Sequence, residues 1–276
     1  MSKQIKNTAR EVFRLQSKKY LTPHFIRITL SGDVSVFKNT TIGDNNKIFI
    51  PPQGVAKVYL PELDEATHSW IHPPQEVAPS VRTYTHRGID LDKGELIIEF
   101  VHHGENGPAS AWAINAELGA ELGVAMRTEP KELYPATAEW FLFAGDATAL
   151  PVISAVLEKL PASAEGVCLI EVPTKEDEQD LKTNATIDFK WIHNSEPDKS
   201  STLFEQVKSI EIPNDVSKFG LVASEFSSVK AIRMYLRKEL GWQTNELNAY
   251  SYWKSGVAED QSVKDRQAEK KSMEDV

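Results

Sequence analysis

Cysteine is nearly absent from this chain of 276 residues, in which Cys168 is the only one. A single cysteine excludes an intramolecular disulfide and a zinc site built on paired cysteines, and it favours a cytoplasmic setting. Cys168 stands in the apolar run 167–170. This pattern predicts a buried packing residue rather than a nucleophile.

Long apolar runs and an excess of basic residues are missing as well. No stretch is long enough to span a bilayer and no apolar segment follows the N-terminal charges, so we expect neither membrane insertion nor a signal peptide. The formal net charge of −9 argues against nonspecific nucleic-acid binding. A local cluster of Lys and Arg can nevertheless bind an anionic ligand.

Familiar signatures of nucleophilic catalysis and of metal binding are also lacking. The sequence has no Gly-x-Ser-x-Gly motif. His68 and His72 are four residues apart, but two prolines follow at once, so we expect a loop there rather than a pair of metal ligands. We therefore predict no metal site.

The first half of the chain has the alternating pattern of β-strands, with clusters of Gly and Pro between the strands. The predicted strands lie at 25–30, 47–50, 81–86 and 95–101. No long helical period intervenes, and the pattern predicts a small antiparallel β-barrel.

Beyond residue 138, predicted strands alternate with predicted helices. The strands lie at 140–144, 167–172, 187–191, 219–223 and 246–253, and the helices at 148–160 and 225–239. Such alternation predicts an α/β domain with a mostly parallel sheet. We assign 1–130 to the barrel domain, 138–253 to the α/β domain and 254–276 to a charged tail that we predict to be helical. A linker is expected around 127–138.

Residues 82–87 read Arg-Thr-Tyr-Thr-His-Arg. On a strand, Arg82, Tyr84 and His86 share one face. A tyrosine ring can lie on a flat redox ring, an arginine can pair with phosphate, and Thr85 can hydrogen-bond a ring heteroatom. Taken alone, the run fits an exposed strand with ordinary polar residues equally well.

Residues 107–112 read Gly-Pro-Ala-Ser-Ala-Trp and resemble the start of a helix after the strand at 95–101. Amide groups at a helix start favour phosphate. A helix start without a ligand is the commoner meaning of Gly-Pro-x-Ser, but the spacing and the upstream run at 82–87 shift the balance. Together the two runs predict a site for a flavin dinucleotide.

Two later segments add weaker signals. The segment 142–151 combines a strand, a glycine turn and a helix start, but it lacks the full Gly-x-Gly-x-x-Gly fingerprint and fits a generic βα turn as well. The aromatic residues of 250–256 fit either packing in a core or the cover of a bound ring.

These four segments, in this order, resemble the siderophore-interacting protein family of flavin-dependent ferric-siderophore reductases, within the ferredoxin-reductase-like superfamily. The runs 47–51 and 229–233 also match. The resemblance covers about residues 8–256. It implies an N-terminal FAD-binding β-barrel of the ferredoxin-reductase type and a C-terminal α/β domain of the NAD(P)H-binding kind.

The resemblance also implies that the flavin carries the chemistry, without a catalytic side chain. The residues that it assigns to FAD are Arg82, Tyr84, Thr85, Val101, His103, Gly107, Ala109, Ser110, Asp146, Thr148, Ala149 and Trp253. The cations that look equivalent to the family's basic cluster for the ferric siderophore are Lys47, Arg127 and Lys254. The chain departs from the family pattern at Ala120, Ala147 and Ser251, and Lys254 replaces a frequent Arg.

We expect electrons from NADH, NADPH or reduced ferredoxin to reach Fe(III) through FAD, which releases the iron as Fe(II). Two alternatives stay open. One is a ferredoxin or flavodoxin reductase, with a protein at the flavin. The other is a siderophore-binding protein that has lost its flavin.

Overall fold

The computed structural model describes residues 8–64 and 66–257. The chain divides into two compact units, Met1–Glu132 and Leu133–Val276. From residue 258 onward, the tail that we predict to be helical lies outside the described residues. At its start, Lys254 and Val257 form an antiparallel β-bridge.

The N-terminal unit is an antiparallel sheet curled around one core. Its strands, with the small β4–β5 hairpin, are β1 (Thr8–Thr22), β2 (Phe25–Ser31), β3 (Asn45–Ile50), β4 (Glu62–Asp64), β5 (Ser69–Ile71), β6 (Ser80–Thr85), β7 (Gly88–Asp90), β8 (Glu95–Val101) and β9 (Glu121–Arg127). The seven-stranded sheet has the order β6-β3-β9-β1-β2-β8-β7. The predicted antiparallel barrel is confirmed as a half-barrel, since the described edge strands β6 and β7 do not pair with each other.

Because successive side chains of a strand point to opposite faces of the sheet, every second side chain faces the core. Ile26, Ile28 and Leu30 of β2 pack in the core with Ile98 and Phe100 of β8, and all five are fully buried. Each such side chain contributes about 1.5–3 kcal/mol relative to exposure. Helix α1 (Pro108–Asn115) adds Ala109 and Ala113 to the same core.

The C-terminal unit is a wholly parallel sheet with helical connections. Its strands are β10 (Trp140–Asp146), β11 (Glu165–Val172), β12 (Thr186–His193), β13 (Lys218–Glu225) and β14 (Leu247–Trp253). Its helices are α2 (Leu150–Leu157), α3 (Leu203–Lys208) and α4 (Phe226–Met234). The predicted α/β class is confirmed. Cys168 is buried as predicted, and burial raises the pKa of its thiol, which makes it a poor nucleophile.

The strand order β12-β11-β10-β13-β14 reverses direction at β10. In open α/β sheets, ligands bind at the carboxyl ends of the strands where the order reverses. A ligand of this unit is therefore expected at the carboxyl ends of β10 and β13. In the described part of the chain, no helix has both the length and the apolar character needed to cross a membrane.

Candidate cofactor and substrate site

Strand β6 presents Arg82 and Tyr84 on the core-facing side of the sheet, because their cross-strand partners on β3 are Ile48 and Asn46. The Tyr84 ring lies 4.5 Å from the ring of Phe100, centroid to centroid. The Arg82 guanidinium donates a hydrogen bond to its neighbouring carbonyl, Val81 O, at 2.7 Å. An aromatic face and a cation thus stand two residues apart on one strand.

The two residues that follow Tyr84 are buried. Thr85 points to the opposite face of β6 and is 5% exposed. His86 lies just beyond the end of the strand and is 1% exposed. Its Nε2 is 3.1 Å from the hydroxyl of Thr40, which donates its own proton to Phe37 O. His86 is therefore the donor to Thr40, and its ring is part of the packing at this end of the sheet.

Helix α1 begins directly after Gly107, with Pro108 in its first position. The first amides of a helix have no intrahelical acceptor, and the helix dipole adds partial positive charge there. Ser110 is 1% exposed, and its hydroxyl accepts the backbone N–H of His103 at 3.3 Å. This bond ties the loop after β8 to the helix start. A Cβ on Gly107 would lie 3.1 Å from the His103 ring, so glycine lets the loop close this tightly.

These groups fit a dinucleotide with a flat ring. Tyr84 offers a ring face, Arg82 offers a guanidinium for phosphate, and the start of α1 offers amides from small residues that let a phosphate approach. Val101 is half-buried at the end of β8 and His103 is exposed two residues later. All of these residues belong to the N-terminal unit.

Asp146, at the carboxyl end of β10, is 5% exposed and accepts four hydrogen bonds. Its Oδ1 accepts from the amide of Thr148 at 2.9 Å and from the Thr148 hydroxyl. Its Oδ2 accepts from the Ser224 hydroxyl at 2.8 Å and from the Trp253 indole N–H at 2.7 Å. Asp146, Thr148 and Trp253, assigned to the cofactor from sequence, are thus brought together around one carboxylate.

The turn after β10 is tightly packed. Ala149 is fully buried, and a Cβ on Gly145 would lie 2.5 Å from the Cβ of Ala149 and 2.7 Å from Ala223 O. Glycine is therefore required at position 145 by packing. Ala149 contributes to that packing with its side chain and leaves only its backbone for a ligand.

Glu171 is a buried acid that the sequence did not bring to notice. It is the second-last residue of strand β11, where it pairs with Asp146, and it is 4% exposed. Its carboxylate accepts from Asn194 at 3.1 Å and from Ser201 at 2.8 Å. Burial, and to a lesser degree the charge of Asp146, raises the pKa of Glu171. In the sequence, Glu171 directly follows the apolar run 167–170, and a charged residue in that position could have been recognised as a candidate buried acid.

Two of the three predicted substrate cations lie on one face of the N-terminal sheet. Lys47 is the cross-strand partner of Ala125, and Arg127 is two residues further along β9, so their side chains emerge on the same side. Both are exposed, and the Lys47 ammonium donates to the hydroxyl of Thr83. Lys254 belongs to the C-terminal unit, where its ammonium lies 5.0 Å from the centre of the Phe226 ring.

Known proteins resemble the chain along nearly its full length. Residues 14–129 match the family described as Siderophore-interacting FAD-binding domain, and residues 138–256 match Siderophore-interacting protein. Ferric vibriobactin reductase ViuB of Vibrio cholerae is 32% identical over 262 residues, which cover 94% of this chain and 95% of that protein.

Solved structures agree with this match. The siderophore-interacting protein SipS from Aeromonas hydrophila superimposes with a TM-score of 0.80 at 29% identity, covering 95% of this chain and 98% of SipS. A siderophore utilization protein from T. fusca gives a TM-score of 0.81 at 25% identity, covering 91% of this chain and 95% of that one. The chain belongs to the siderophore-interacting protein family, and residues 14–129 are its FAD-binding domain.

Proposed function

We propose that this chain is an FAD-dependent reductase that converts the Fe(III) of a ferric siderophore to Fe(II). The observation that carries the proposal is its likeness, from end to end, to a protein named ferric vibriobactin reductase. The flat-ring and phosphate-binding groups of the N-terminal unit support it.

In this proposal the side chains of the N-terminal unit bind and orient FAD. Tyr84 packs on the ring system and Arg82 pairs with phosphate. Thr85, whose side chain is buried on the opposite face of β6, would contact the ring system through its backbone. The start of α1 holds the phosphates through Gly107, Ala109 and Ser110, beside Val101 and His103. In the C-terminal unit, Asp146 sets the position of Trp253 through the indole N–H. The resemblance to the family assigns Asp146, Thr148, Ala149 and Trp253 to FAD as well.

FAD, when bound, takes two electrons from NADH, NADPH or two reduced ferredoxins and releases them one at a time, enough for two ferric ions. The oxygen donors of a siderophore suit Fe(III) better than Fe(II), so the reduced metal leaves the chelate without a protein ligand. We place this reaction in the cytoplasm, in keeping with a chain whose one cysteine is a buried free thiol.

The first prediction is that the purified chain takes up FAD and that Tyr84→Ala weakens FAD binding about tenfold, because the ring loses its aromatic support. Tyr84→Phe keeps the ring and is the matched control, with binding close to that of the unmodified chain. Flavin fluorescence titration gives both dissociation constants. A ferrous-iron trap then measures the reduction of a ferric catecholate. If the protein is colourless after incubation with excess FAD and removal of the unbound flavin, the proposed function is ruled out.

The second prediction concerns the cation Lys254. In Lys254→Glu, the KM for an anionic ferric siderophore should rise about tenfold at low ionic strength, and the difference should shrink as salt screens the charges. Lys230→Glu makes the same charge change at an exposed position on α4 and serves as the control. If both variants raise KM equally, net charge rather than a local cluster attracts the chelate.

A further inference from the structure

Three aromatic side chains form a cluster that none of the roles above uses. Tyr20 lies near the end of β1, His24 lies in the turn between β1 and β2, and His102 follows β8. The His102 ring centre lies 6.1 Å from that of Tyr20, nearly edge-on, and 6.2 Å from that of His24, nearly parallel. We call Tyr20, His24 and His102 the aromatic cluster.

The backbone holds the aromatic cluster firmly. The amide of His102 donates to the carbonyl of His24 at 2.8 Å, which continues the pairing of β2 with β8. The cluster is also open to solvent, since Tyr20 is 49% exposed and both histidines are half-buried. The free energy falls when a flat apolar ring covers aromatic faces that are exposed to water.

The aromatic cluster adjoins the phosphate-binding turn. His102 precedes His103, whose amide is bound by Ser110 at the start of α1. Phe100, two residues before His102, packs on Tyr84 and, at 6.1 Å, on Trp112 of α1. The end of β8 and the loop after it therefore connect the proposed flavin contact, the phosphate contact and the aromatic cluster within one unit.

FAD carries two flat ring systems, one on either side of its two phosphates. Because Tyr84 and Thr85 are assigned to the flavin and the start of α1 to the phosphates, the second ring needs a surface near the same turn. We propose that the aromatic cluster binds the adenine ring of FAD. Stacking on aromatic side chains suits adenine because every base has a π-face. This inference rests on the proposed function and adds the residues that distinguish FAD from FMN.

The test compares FAD with FMN, which lacks the adenosine, on the full-length chain. His102→Ala and Tyr20→Ala should each weaken FAD binding about tenfold and change FMN binding less than about twofold. Tyr59→Ala removes another half-exposed tyrosine of the same unit and should leave both constants unchanged. Fluorescence titration measures the constants, and the thermal unfolding temperature checks that each variant is folded.

The outcomes separate the two proposals. If FAD and FMN weaken equally, the cluster supports the fold and not the adenine, and the inference is wrong. If neither weakens, adenine binds elsewhere and the inference is again wrong, while flavin-dependent reduction stands. If the unmodified chain binds neither flavin, both proposals fail. Because Tyr20 is half-exposed, Tyr20→Ala remains informative even where His102→Ala does not fold.

Discussion

Replacing Glu99 by alanine should lower the free energy of unfolding of the N-terminal unit by about 3–5 kcal/mol, because it removes a carboxylate that balances buried positive charge. The Glu99 side chain is only 3% exposed. One oxygen accepts Arg27 Nε at 2.9 Å, and the other lies 3.5 Å from Arg87 Nε. Arg87, whose side chain is 13% exposed, cannot recover full hydration when the carboxylate is lost.

The consequence extends to the proposed flavin site. Arg87 follows Tyr84, Thr85 and His86, and its amide bonds to Ile97 O on β8. The ion pair with Glu99 therefore helps to anchor the chain where it leaves β6. In Glu99→Ala we also expect weaker FAD binding, through a less ordered β6 rather than through a lost contact.

Hydrogen–deuterium exchange is the measurement of choice for Glu99→Ala, since it follows the two units separately. Exchange should accelerate in β2, β6 and β8 and remain unchanged in β10–β14. Glu95→Ala is the control on the same strand, because Glu95 accepts a side-chain hydrogen bond from the exposed Gln16 and its loss should cost less than about 0.5 kcal/mol. Equal protection in Glu99→Ala and the unmodified chain would contradict the importance of the buried ion pair.

Most of the α/β unit could be predicted from sequence, because buried parallel strands are continuous apolar runs. Strands β10, β11, β13 and β14 lie within a few residues of their predicted positions. The helices are shorter than predicted. The helix predicted at 148–160 begins with a 3-10 turn over Ala147–Ala149, and its α-helical part ends at Leu157. The helix predicted at 225–239 is α-helical only to Met234 and continues as a π-helical turn over Tyr235–Glu239.

The sequence did not reveal five strands of the N-terminal unit, namely the three short strands β4, β5 and β7 and the longer strands β1 and β9. The two longer ones were missed for identifiable reasons. Strand β1 is rich in charged residues, and a bulge between Leu15 and Ser17 shifts its alternation. Strand β9 has Gly123 at its centre, a residue disfavoured in strands. A Cβ there would lie 2.7 Å from Leu60 and 2.9 Å from Phe49, so packing on the outer face of the sheet requires glycine.

Part of the candidate site could likewise be predicted from the sequence, and part of it could not. Short runs such as 82–87 and 107–112 carry their chemistry in consecutive residues, so their positions on β6 and at the start of α1 could be anticipated. Partners that meet only through folding could not. Nothing local to Asp146 indicates that its carboxylate accepts from Ser224 and Trp253, which are 78 and 107 residues away in the chain.

Asp146→Asn should therefore destabilise the C-terminal unit by about 2–4 kcal/mol, even though it changes only one atom of the side chain. Three residues donate four hydrogen bonds to the carboxylate, and two of the donors are N–H groups that cannot turn away, the Thr148 amide and the Trp253 indole. An amide side chain has one acceptor oxygen and one NH2 group, so in either orientation its NH2 faces one of these N–H donors. The substitution leaves a donor opposed to a donor in a buried position.

A double-mutant cycle with Trp253→Phe tests this directly, because phenylalanine keeps a ring and removes the indole N–H. In the Trp253→Phe background the NH2 group introduced by Asp146→Asn no longer opposes an indole donor, so the cost of that substitution should fall by about 1–2 kcal/mol. Urea unfolding, followed by exchange in β10 and β14, gives the four free energies. Additive effects would mean that the Asp146–Trp253 bond contributes no coupling. A measured coupling would identify Asp146 as the residue that sets the position of Trp253, the aromatic side chain that the resemblance to the family assigns to FAD.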